Sequence, residues 1–341
     1  MKIYRVFVLL TILALVACTS SAPQVNATPT TQPEPTVAVA KPFRVAVIVP
    51  SAVNDLAFSQ SMYDAINRLQ AEMGGSEKMQ YVYSQGMFII DDAAAALRTY
   101  ASQEYDMVIA HGSQYGKSIQ EIAPTFPDVS FVWTNATEPL NLPNVFEVNA
   151  AAHEGGYVNG VLAATLTSHK IIGIVGPVEV GEPKQYVDGF KAGVMATDPE
   201  IQLNVSYIGS FSDVVKASET AANFVSSGAD VMTGTAQMVV GPIGTANQSN
   251  VLWFGTQSNQ SLLAPKIVVA NQVYHWEVAL KEVVAKVQVG TLGGEILTIN
   301  LSNGGEVIEY NPEYALSAAV KALGDATIQG IIDGSITVSL P

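Results

Sequence analysis

Short apolar runs rich in β-branched residues alternate with segments of helical periodicity from residue 43 to the C-terminus. Residues 43–50 (FRVAVIVP) are such a run, and residues 60–73 follow with apolar side chains at helical spacing. A nearly continuous apolar run is typical of a strand that is buried on both faces of a parallel sheet. The alternation therefore predicts an α/β architecture.

The alternation forms two consecutive series. The first predicts strands at 43–50, 79–84, 107–111, 129–135 and 145–149, with helices at 60–73, 91–103 and 116–123. The second predicts strands at 171–175, 204–208, 231–233, 251–254 and 267–269, with helices at 153–166, 184–195, 214–226, 274–287 and 312–332. Two series favour two doubly wound α/β lobes. A single large α/β barrel is the alternative, although the even eightfold pattern of a barrel is lacking.

The N-terminus has the pattern of an export signal. Lys2 and Arg5 precede an apolar stretch at residues 6–16 (VFVLLTILALV), which is shorter than the about 20 residues that span a bilayer. Its length suits the core of a signal peptide. The stretch leads into Leu15-Val16-Ala17-Cys18, the pattern of a bacterial lipobox. We predict a signal peptide at 1–17 and lipidation of Cys18; an ordinary buried or stray thiol is the alternative.

The composition separates a tether from a folded body. Residues 19–42 are rich in Ser, Thr, Pro, Gln and Ala, so they bury too little surface to offset the entropy of ordering. We predict that residues 18–42 form a lipid-anchored, disordered linker. The remaining chain, from about residue 43, has the length of roughly two domains.

Charge and cysteine content exclude several classes of protein. The net charge of −14 argues against a nucleic-acid binder, which usually carries a basic patch. It also argues against attachment to an anionic membrane through charge, so the lipid is the expected membrane contact. Cys18 is the only cysteine of the chain, which excludes an internal disulfide and a multi-cysteine metal site.

Several short motifs follow one another along the folded body. In chain order they are 55–60 (DLAFSQ), 111–116 (HGSQYG), 127–132 (PDVSFV), 154–157 (EGGY), 160–164 (GVLAA), 189–193 (GFKAG), 209–213 (GSFSD), 228–231 (GADV) and 331–338 (IIDGSITV). With these motifs the chain resembles the basic-membrane-protein family, also called the purine nucleoside receptor type. Each motif is weak by itself, and their common order from about residue 43 to the C-terminus carries the resemblance.

The resemblance implies a substrate-binding lipoprotein of an ABC importer with a type I periplasmic-binding fold, in which two lobes are joined by a hinge. The implied lobes are 43–148 plus about 272–300, and 149–271 plus about 301–341, with crossings near 148–150, 269–272 and 299–303. The implied partners are a small-molecule ligand, an ABC permease and its ATPase. The family also implies a monomer without a cofactor, held by lipidated Cys18 on the outer face of the cell membrane.

Departures from the family pattern bear on the ligand. Nucleoside-binding members contact the ligand with a Phe-Asn pair, where this chain has Phe58 and Ser59. An acidic family position aligns with Asn135, and the aspartate that binds ribose hydroxyls aligns with Gln257. A lysine position aligns near Tyr274. Amides and a phenol in place of these charged groups would bind a ribose less tightly, so we expect a purine nucleobase or a nucleoside-like small molecule as the ligand.

Stacking on aromatic side chains and hydrogen bonding to amides would hold such a base. The predicted ligand-binding residues are Asp55, Phe58, Ser59, Trp133, Asn135, Phe211, Gln257, Tyr274 and Trp276. The alternatives are helix capping for Asp55, core packing for Trp276, and turn or capping roles for Asn135 and Gln257.

Catalytic and metal motifs are missing from the sequence. His111, His153, His169 and His275 show no metal-ligand spacing, and there is no Gly-x-Ser-x-Gly pattern. We therefore expect a binding protein rather than an enzyme. The alternatives are a binding protein for a sugar or another small ligand, a ligand-binding sensory module and, with least support, a nucleoside hydrolase.

Overall fold

The computed structural model describes residues 41–340, which form two α/β lobes. The predicted signal peptide, Cys18 and nearly all of the predicted linker lie outside the described residues. Between residues 41 and 340, no helix combines the length and the apolar character that crossing a bilayer requires.

Residues 41–340 contain twelve strands and nine α-helices. The strands are β1 (Phe43–Ile48), β2 (Met79–Ser84), β3 (Met107–His111), β4 (Ser130–Thr134), β5 (Val145–Ala150), β6 (Ile171–Gly176), β7 (Gln202–Tyr207), β8 (Val231–Gly234), β9 (Leu252–Gly255), β10 (Val268–Tyr274), β11 (Glu295–Ile299) and β12 (Glu306–Tyr310). The helices are α1 (Phe58–Glu72), α2 (Ile90–Ser102), α3 (Gly116–Ile122), α4 (Ala152–Leu166), α5 (Gly181–Thr197), α6 (Val214–Ser226), α7 (Val240–Gln248), α8 (Glu277–Gln288) and α9 (Ala318–Ile332).

Each lobe is built on one six-stranded sheet. The first sheet has the order β2-β1-β3-β4-β5-β11, and all of its strands are parallel. The second has the order β7-β6-β8-β9-β10-β12, with only β12 antiparallel to its neighbour. The first five strands of each sheet repeat one doubly wound order. The prediction of two doubly wound lobes is confirmed, and the barrel alternative is wrong.

The burial of the strands explains why apolar runs in the sequence predicted them. Every residue of β3, β4, β8 and β10 is buried, because helices cover both faces of a parallel sheet. Helix α1 buries Met62, Ala65, Ile66 and Leu69, which share one face at helical spacing. These contacts hold the strand ends in fixed positions.

The chain crosses between the lobes three times. It leaves the first sheet after Ala150, leaves the second after Tyr274, and returns between Ile299 and Glu306. The second crossing follows Tyr274, two residues beyond the range near 269–272 that was predicted, and the lobe boundaries stay a prediction. The physical reason for the difference is that buried Asn271 and Gln272 interrupt the apolar run although β10 continues to pair with β12 through Tyr274.

The last third of the chain differs most from the sequence predictions. The helix predicted from 274 begins at Glu277, because Tyr274 still belongs to β10. The helix predicted from 312 begins only at Ala318, where the Ser317 side chain accepts a hydrogen bond from the Val320 N–H. Strands β11 and β12 were not predicted; they are short, lie at sheet edges and contain polar residues.

Helices α4 and α5 pack backbone against backbone through glycines. A Cβ at Gly160 would overlap the carbonyl oxygen of Phe190, and one at Gly193 would overlap that of Tyr157. The backbone cannot yield as a flexible side chain can, so these positions have no room for a methyl group. The close contact between α4 and α5 therefore requires glycine, which has no side chain, at both positions.

Gly160→Ala is expected to lower the free energy of unfolding by about 1–3 kcal/mol, the usual effect of overpacking. Gly244→Ala is the matched control, because Gly244 also lies in a helix but a Cβ there meets nothing within 4 Å. The control should raise stability by about 0.5–1 kcal/mol through its better helix propensity. Urea unfolding measures both, and equal effects at the two positions would contradict the packing argument.

Candidate functional site

The strand order determines where a ligand can bind. In each sheet the order reverses direction at one point, between β1 and β3 in the first and between β6 and β8 in the second. Crevices at the carboxyl ends of such strands are the usual ligand sites of open α/β sheets. The loops that follow these strands in both lobes line a shared cavity of about 190 Å³.

Both lobes contribute to the cavity wall. The first lobe supplies Pro50, Phe58, Phe88, Ile90, Gly112, Ser113, Gln114 and Asn135. The second lobe supplies Glu182, Pro183, Phe211, Ala236, Gln237 and Gln257. Glu182 is the one charged side chain in this wall, so apolar groups, hydroxyls and amides dominate it.

Three non-glycine residues of the wall have left-handed backbone conformations. Asn135 follows β4 with φ 53°, Ala236 follows β8 with φ 75°, and Gln257 follows β9 with φ 67°. Asn135 and Gln257 occupy equivalent places in the two sheets. Asn135 follows β4, which lies beside β3 in the first sheet, and Gln257 follows β9, which lies beside β8 in the second. Such conformations are unfavourable by about 1–3 kcal/mol and cluster at functional sites. The site therefore holds its polar side chains in a strained, fixed geometry.

Phe58 is held by a stack of aromatic side chains. Its ring lies on His111 with a centroid distance of 3.8 Å and an interplanar angle of 12°. The Nε2 of His111 is 2.9 Å from the Phe58 carbonyl oxygen, which can only accept a hydrogen bond, so Nε2 carries the proton. Burial lowers the pKa of His111 to about 3 and keeps it neutral. Because His111 covers one face of Phe58, a ligand can stack only on the other.

Glu182 brings a carboxyl group into the cavity wall from the first turn of α5. The Tyr274 hydroxyl donates to it, and the Nε2 of Gln257 lies 3.3 Å from each of its oxygens. Burial raises the pKa of Glu182, and the hydrogen bonds from Tyr274 and Gln257 oppose this rise. The replacement of charged groups at the aligned family positions therefore does not leave the wall without a carboxyl group, because this one comes from the first turn of α5.

Four of the nine predicted ligand-binding residues meet at the cavity. Phe58 and Asn135 line it from the first lobe, and Phe211 and Gln257 line it from the second. The structure thus brings together residues that are up to about 200 positions apart in the sequence. Their contact with a ligand stays a prediction.

The other five residues do not line the cavity. The Asp55 carboxylate accepts hydrogen bonds from the N–H groups of Ala57, Ser59 and Gln60, which gives it the capping role that the sequence left open. The buried hydroxyl of Ser59 accepts from the Ser51 N–H.

Three aromatic residues complete this group of five. Trp133 is buried in the first lobe and donates from Nε1 to the Gly112 carbonyl oxygen. Tyr274 reaches the cavity only through its hydrogen bond to Glu182. Trp276 is fully buried and donates from Nε1 to the Ser61 hydroxyl.

Sequence reasoning missed Glu182 and Gln237. Glu182 stands in a glycine-containing stretch without a phosphate-binding motif and lies in the first turn of α5, and Gln237 lies in a short turn after β8. Both follow strands next to the reversal of strand order, so the carboxyl-end rule could have flagged them. Within residues 41–340, no three His, Cys, Asp or Glu side chains converge to hold a metal ion.

The lobes touch each other beside the cavity. The Ser258 hydroxyl donates to the Ala57 carbonyl oxygen at 2.8 Å, and the Gln260 amide donates to that of Leu56 at 3.1 Å. These bonds join the loop before α1 to the loop after β9. They hold the two lobes together at one edge of the cavity.

Comparison with known proteins agrees with this geometry. A family model described as ABC transporter substrate-binding protein PnrA-like matches residues 43–338. The ABC transporter nucleoside-binding protein BmpA of Lactococcus lactis is 26% identical over 314 residues, which cover 86% of this chain and 88% of that protein. A purine-binding protein of Brucella abortus is 26% identical over 200 residues, which cover 59% of this chain and 56% of that protein.

A solved structure shows the same fold. The ABC transporter solute-binding protein of Aeropyrum pernix superposes with a TM-score of 0.75 at 19% identity, over 88% of this chain and 94% of that protein. The shared architecture is the type I periplasmic-binding-protein fold.

Proposed function

Because the chain belongs to the PnrA-like Bmp family of ABC transporter substrate-binding proteins, we propose that it binds a purine nucleobase between its lobes and delivers it to an ABC permease. The observation that carries the proposal is the cavity wall. Phe58 and Phe211 belong to it from opposite lobes. The amides of Asn135 and Gln257 also belong to it, and they follow the ends of β4 and β9.

The size of the cavity favours a base over a nucleoside. Its volume of about 190 Å³ is below the about 300–1,000 Å³ of pockets that take drug-sized ligands. A planar base offers two faces to aromatic rings and a polar edge to amides. A sugar carries hydroxyl groups around its ring, and the apolar side chains of this wall would leave many of them without a hydrogen-bond partner. The names of two relatives, a nucleoside-binding protein and a purine-binding protein, support a ligand that contains a nucleobase.

Delivery follows from the two-lobe construction. A ligand that contacts both lobes binds the closed state more tightly than the open state, so it shifts the population towards closure. The closed protein would then dock on a permease whose ATPase lies on the inner side of the membrane. The lipobox pattern at Cys18 supports anchoring to the outer face of the cell membrane.

A thermal-shift screen of the protein without its predicted signal peptide tests the ligand class. The panel contains purine and pyrimidine bases, their nucleosides, and simple sugars. A base at 100 times its dissociation constant should add about 2.7 kcal/mol of stability. Stabilisation by nucleosides or sugars alone would contradict the proposal that the ligand is a base, although the proposal of a binding protein would stand.

Phe211→Ala is expected to weaken binding of the stabilising base by about 1–3 kcal/mol, the usual contribution of one stacking partner. Phe211 is half-buried, so the fold should tolerate the change. Leu262→Ala is the control, because Leu262 is 88% exposed in the same lobe and does not line the cavity. Titration calorimetry gives both affinities. Equal affinities of the two variants for the base would show that Phe211 does not contribute to binding.

A further inference from the structure

The second lobe supplies hydrogen-bond acceptors without partners to the cavity wall. The side-chain oxygens of Gln237 and Gln257 are buried, and neither has a hydrogen-bond partner in the described part of the chain. Gln237 is 7% exposed and Gln257 is 2% exposed. Because a buried acceptor without a partner is unfavourable, these oxygens point to a bound molecule that donates.

The orientation of the Gln257 amide follows from its neighbour. Its nitrogen lies 3.3 Å from both oxygens of Glu182, and a carboxylate can only accept hydrogen bonds. The nitrogen must therefore face Glu182, which leaves the Gln257 oxygen as a free acceptor. A flipped amide would place two acceptors against each other.

Glu182 adds further acceptor capacity. Burial raises the pKa of Glu182, so the carboxylate form is reached at a higher pH than for an exposed glutamate. In that form it offers about four lone-pair positions, and its donors here are the Tyr274 hydroxyl and the Gln257 amide. Among residues 41–340, no lysine, arginine or histidine forms an ion pair with Glu182. A ligand that donates hydrogen bonds would offset the loss of hydration of this buried group.

We infer that Glu182, Gln237 and Gln257 select a heteroaromatic base that presents adjacent ring N–H and amino donors, the donor pattern of guanine. This inference rests on the proposed function and specifies its substrate. The three side chains follow β6, β8 and β9, which are neighbours in the second sheet. They can thus contact one edge of a base whose faces lie against aromatic rings.

The donor pattern predicts an order among related bases. Hypoxanthine has the same ring N–H as guanine but lacks the amino group. Xanthine carries a carbonyl oxygen in place of that amino group, so it would set an acceptor against the carboxylate. Guanine should therefore bind most tightly and xanthine least tightly.

Equilibrium dialysis with radiolabelled guanine and hypoxanthine tests the inference on the protein without its predicted signal peptide. Guanine should bind about 10- to 150-fold more tightly, the effect of one hydrogen bond to a charged group. Glu182→Gln should reduce this ratio towards one, because an amide oxygen has no charge and its nitrogen opposes a donor. Glu179→Gln is the control, since Glu179 is exposed, lies outside the wall and carries the same charge.

Gln237→Met gives a second route if Glu182→Gln is poorly folded. The Gln237 oxygen has no protein partner, so its removal should leave the fold intact and weaken guanine binding. Equal affinities for guanine and hypoxanthine, or a ratio that Glu182→Gln leaves unchanged, would overturn the inference while the proposed function stands. Binding of no base at all would overturn both.

Discussion

Trp276→Ala is expected to lower the free energy of unfolding by about 3–5 kcal/mol, the range for truncating a large core side chain. Trp276 is fully buried at the second crossing, immediately after β10. Its ring meets Phe58, His111 and Tyr274 edge-on, with centroid distances of 6.1, 5.3 and 5.2 Å. Removal of the ring leaves a cavity behind Phe58, so affinity for the base should fall as well.

Trp276→Phe separates packing from hydrogen bonding. It keeps most of the ring but loses the Nε1 donor to Ser61, so the expected loss is smaller, about 1–3 kcal/mol for a buried group left unpaired. Denaturant unfolding gives the stabilities, and calorimetry with the stabilising base gives the affinities. A Trp276→Ala protein as stable as wild type would show that this residue does not support the site.

Glu306→Gln is expected to remove one contribution to the pH dependence of stability, a loss of stability that grows as pH rises above about 4.5. Glu306 is fully buried at the start of β12, and its Oε1 accepts hydrogen bonds from the Gln272 amide and the Gly155 N–H. Its Oε2 has no partner in the described residues. Burial, together with nearby Glu154 and Glu182, raises the pKa of Glu306 well above its usual value.

The direction of the effect follows from proton linkage. The folded state holds the Glu306 proton at pH values where the unfolded chain, with a pKa near 4.5, has released it. The stabilisation is therefore complete below pH 4.5 and is lost as pH rises towards the folded pKa. A single such group changes stability by at most about 1.4 kcal/mol per pH unit. Burial also raises the pKa values of Glu182 and Asp55, so they add to the slope in the same direction.

Urea unfolding between about pH 5 and 6.5 compares the slopes of wild type and Glu306→Gln, because the opposing slope from His111, whose pKa burial lowers, is the same in both proteins. His275 has its pKa raised to about 9 by hydrogen bonds to Glu277 and Glu309. Its stabilising contribution is therefore lost only above the unfolded pKa of 6.5. Glu306→Gln should reduce the slope by about 1.4 kcal/mol per pH unit, because glutamine keeps the acceptor and has no proton to release. Glu313→Gln, on the exposed surface, should leave the slope unchanged.

Glu306 also joins the three crossings. It follows the third crossing, while its partner Gly155 follows the first and its partner Gln272 precedes the second. Through Tyr274, which lies within hydrogen-bond distance of both Gln272 and Glu182, this network continues to the cavity wall. Glu306 and Glu182, two of the acids whose pKa values are raised, thus connect the ligand site to the crossings.

The sequence alone determined the architecture, because burial on both faces of a parallel sheet requires apolar runs that can be read without a structure. The order of the motifs identified the family in the same way. The sequence also predicted four residues at the cavity. Asn135, Phe211 and Gln257 lie in loops that follow strands, and Phe58 is the first residue of a helix.

Only the tertiary structure decided which of the other polar and aromatic residues reach the cavity. Trp133 and Trp276 have the composition of a base-binding site, yet packing against neighbouring elements buries them and they do not line the cavity. Glu182 enters the wall because α5 begins beside the end of β9, and no local pattern encodes that approach. The apolar pattern that marks a strand and its end is a local property of the sequence. Which side chains meet across a cleft depends instead on the packing of segments that are distant in sequence.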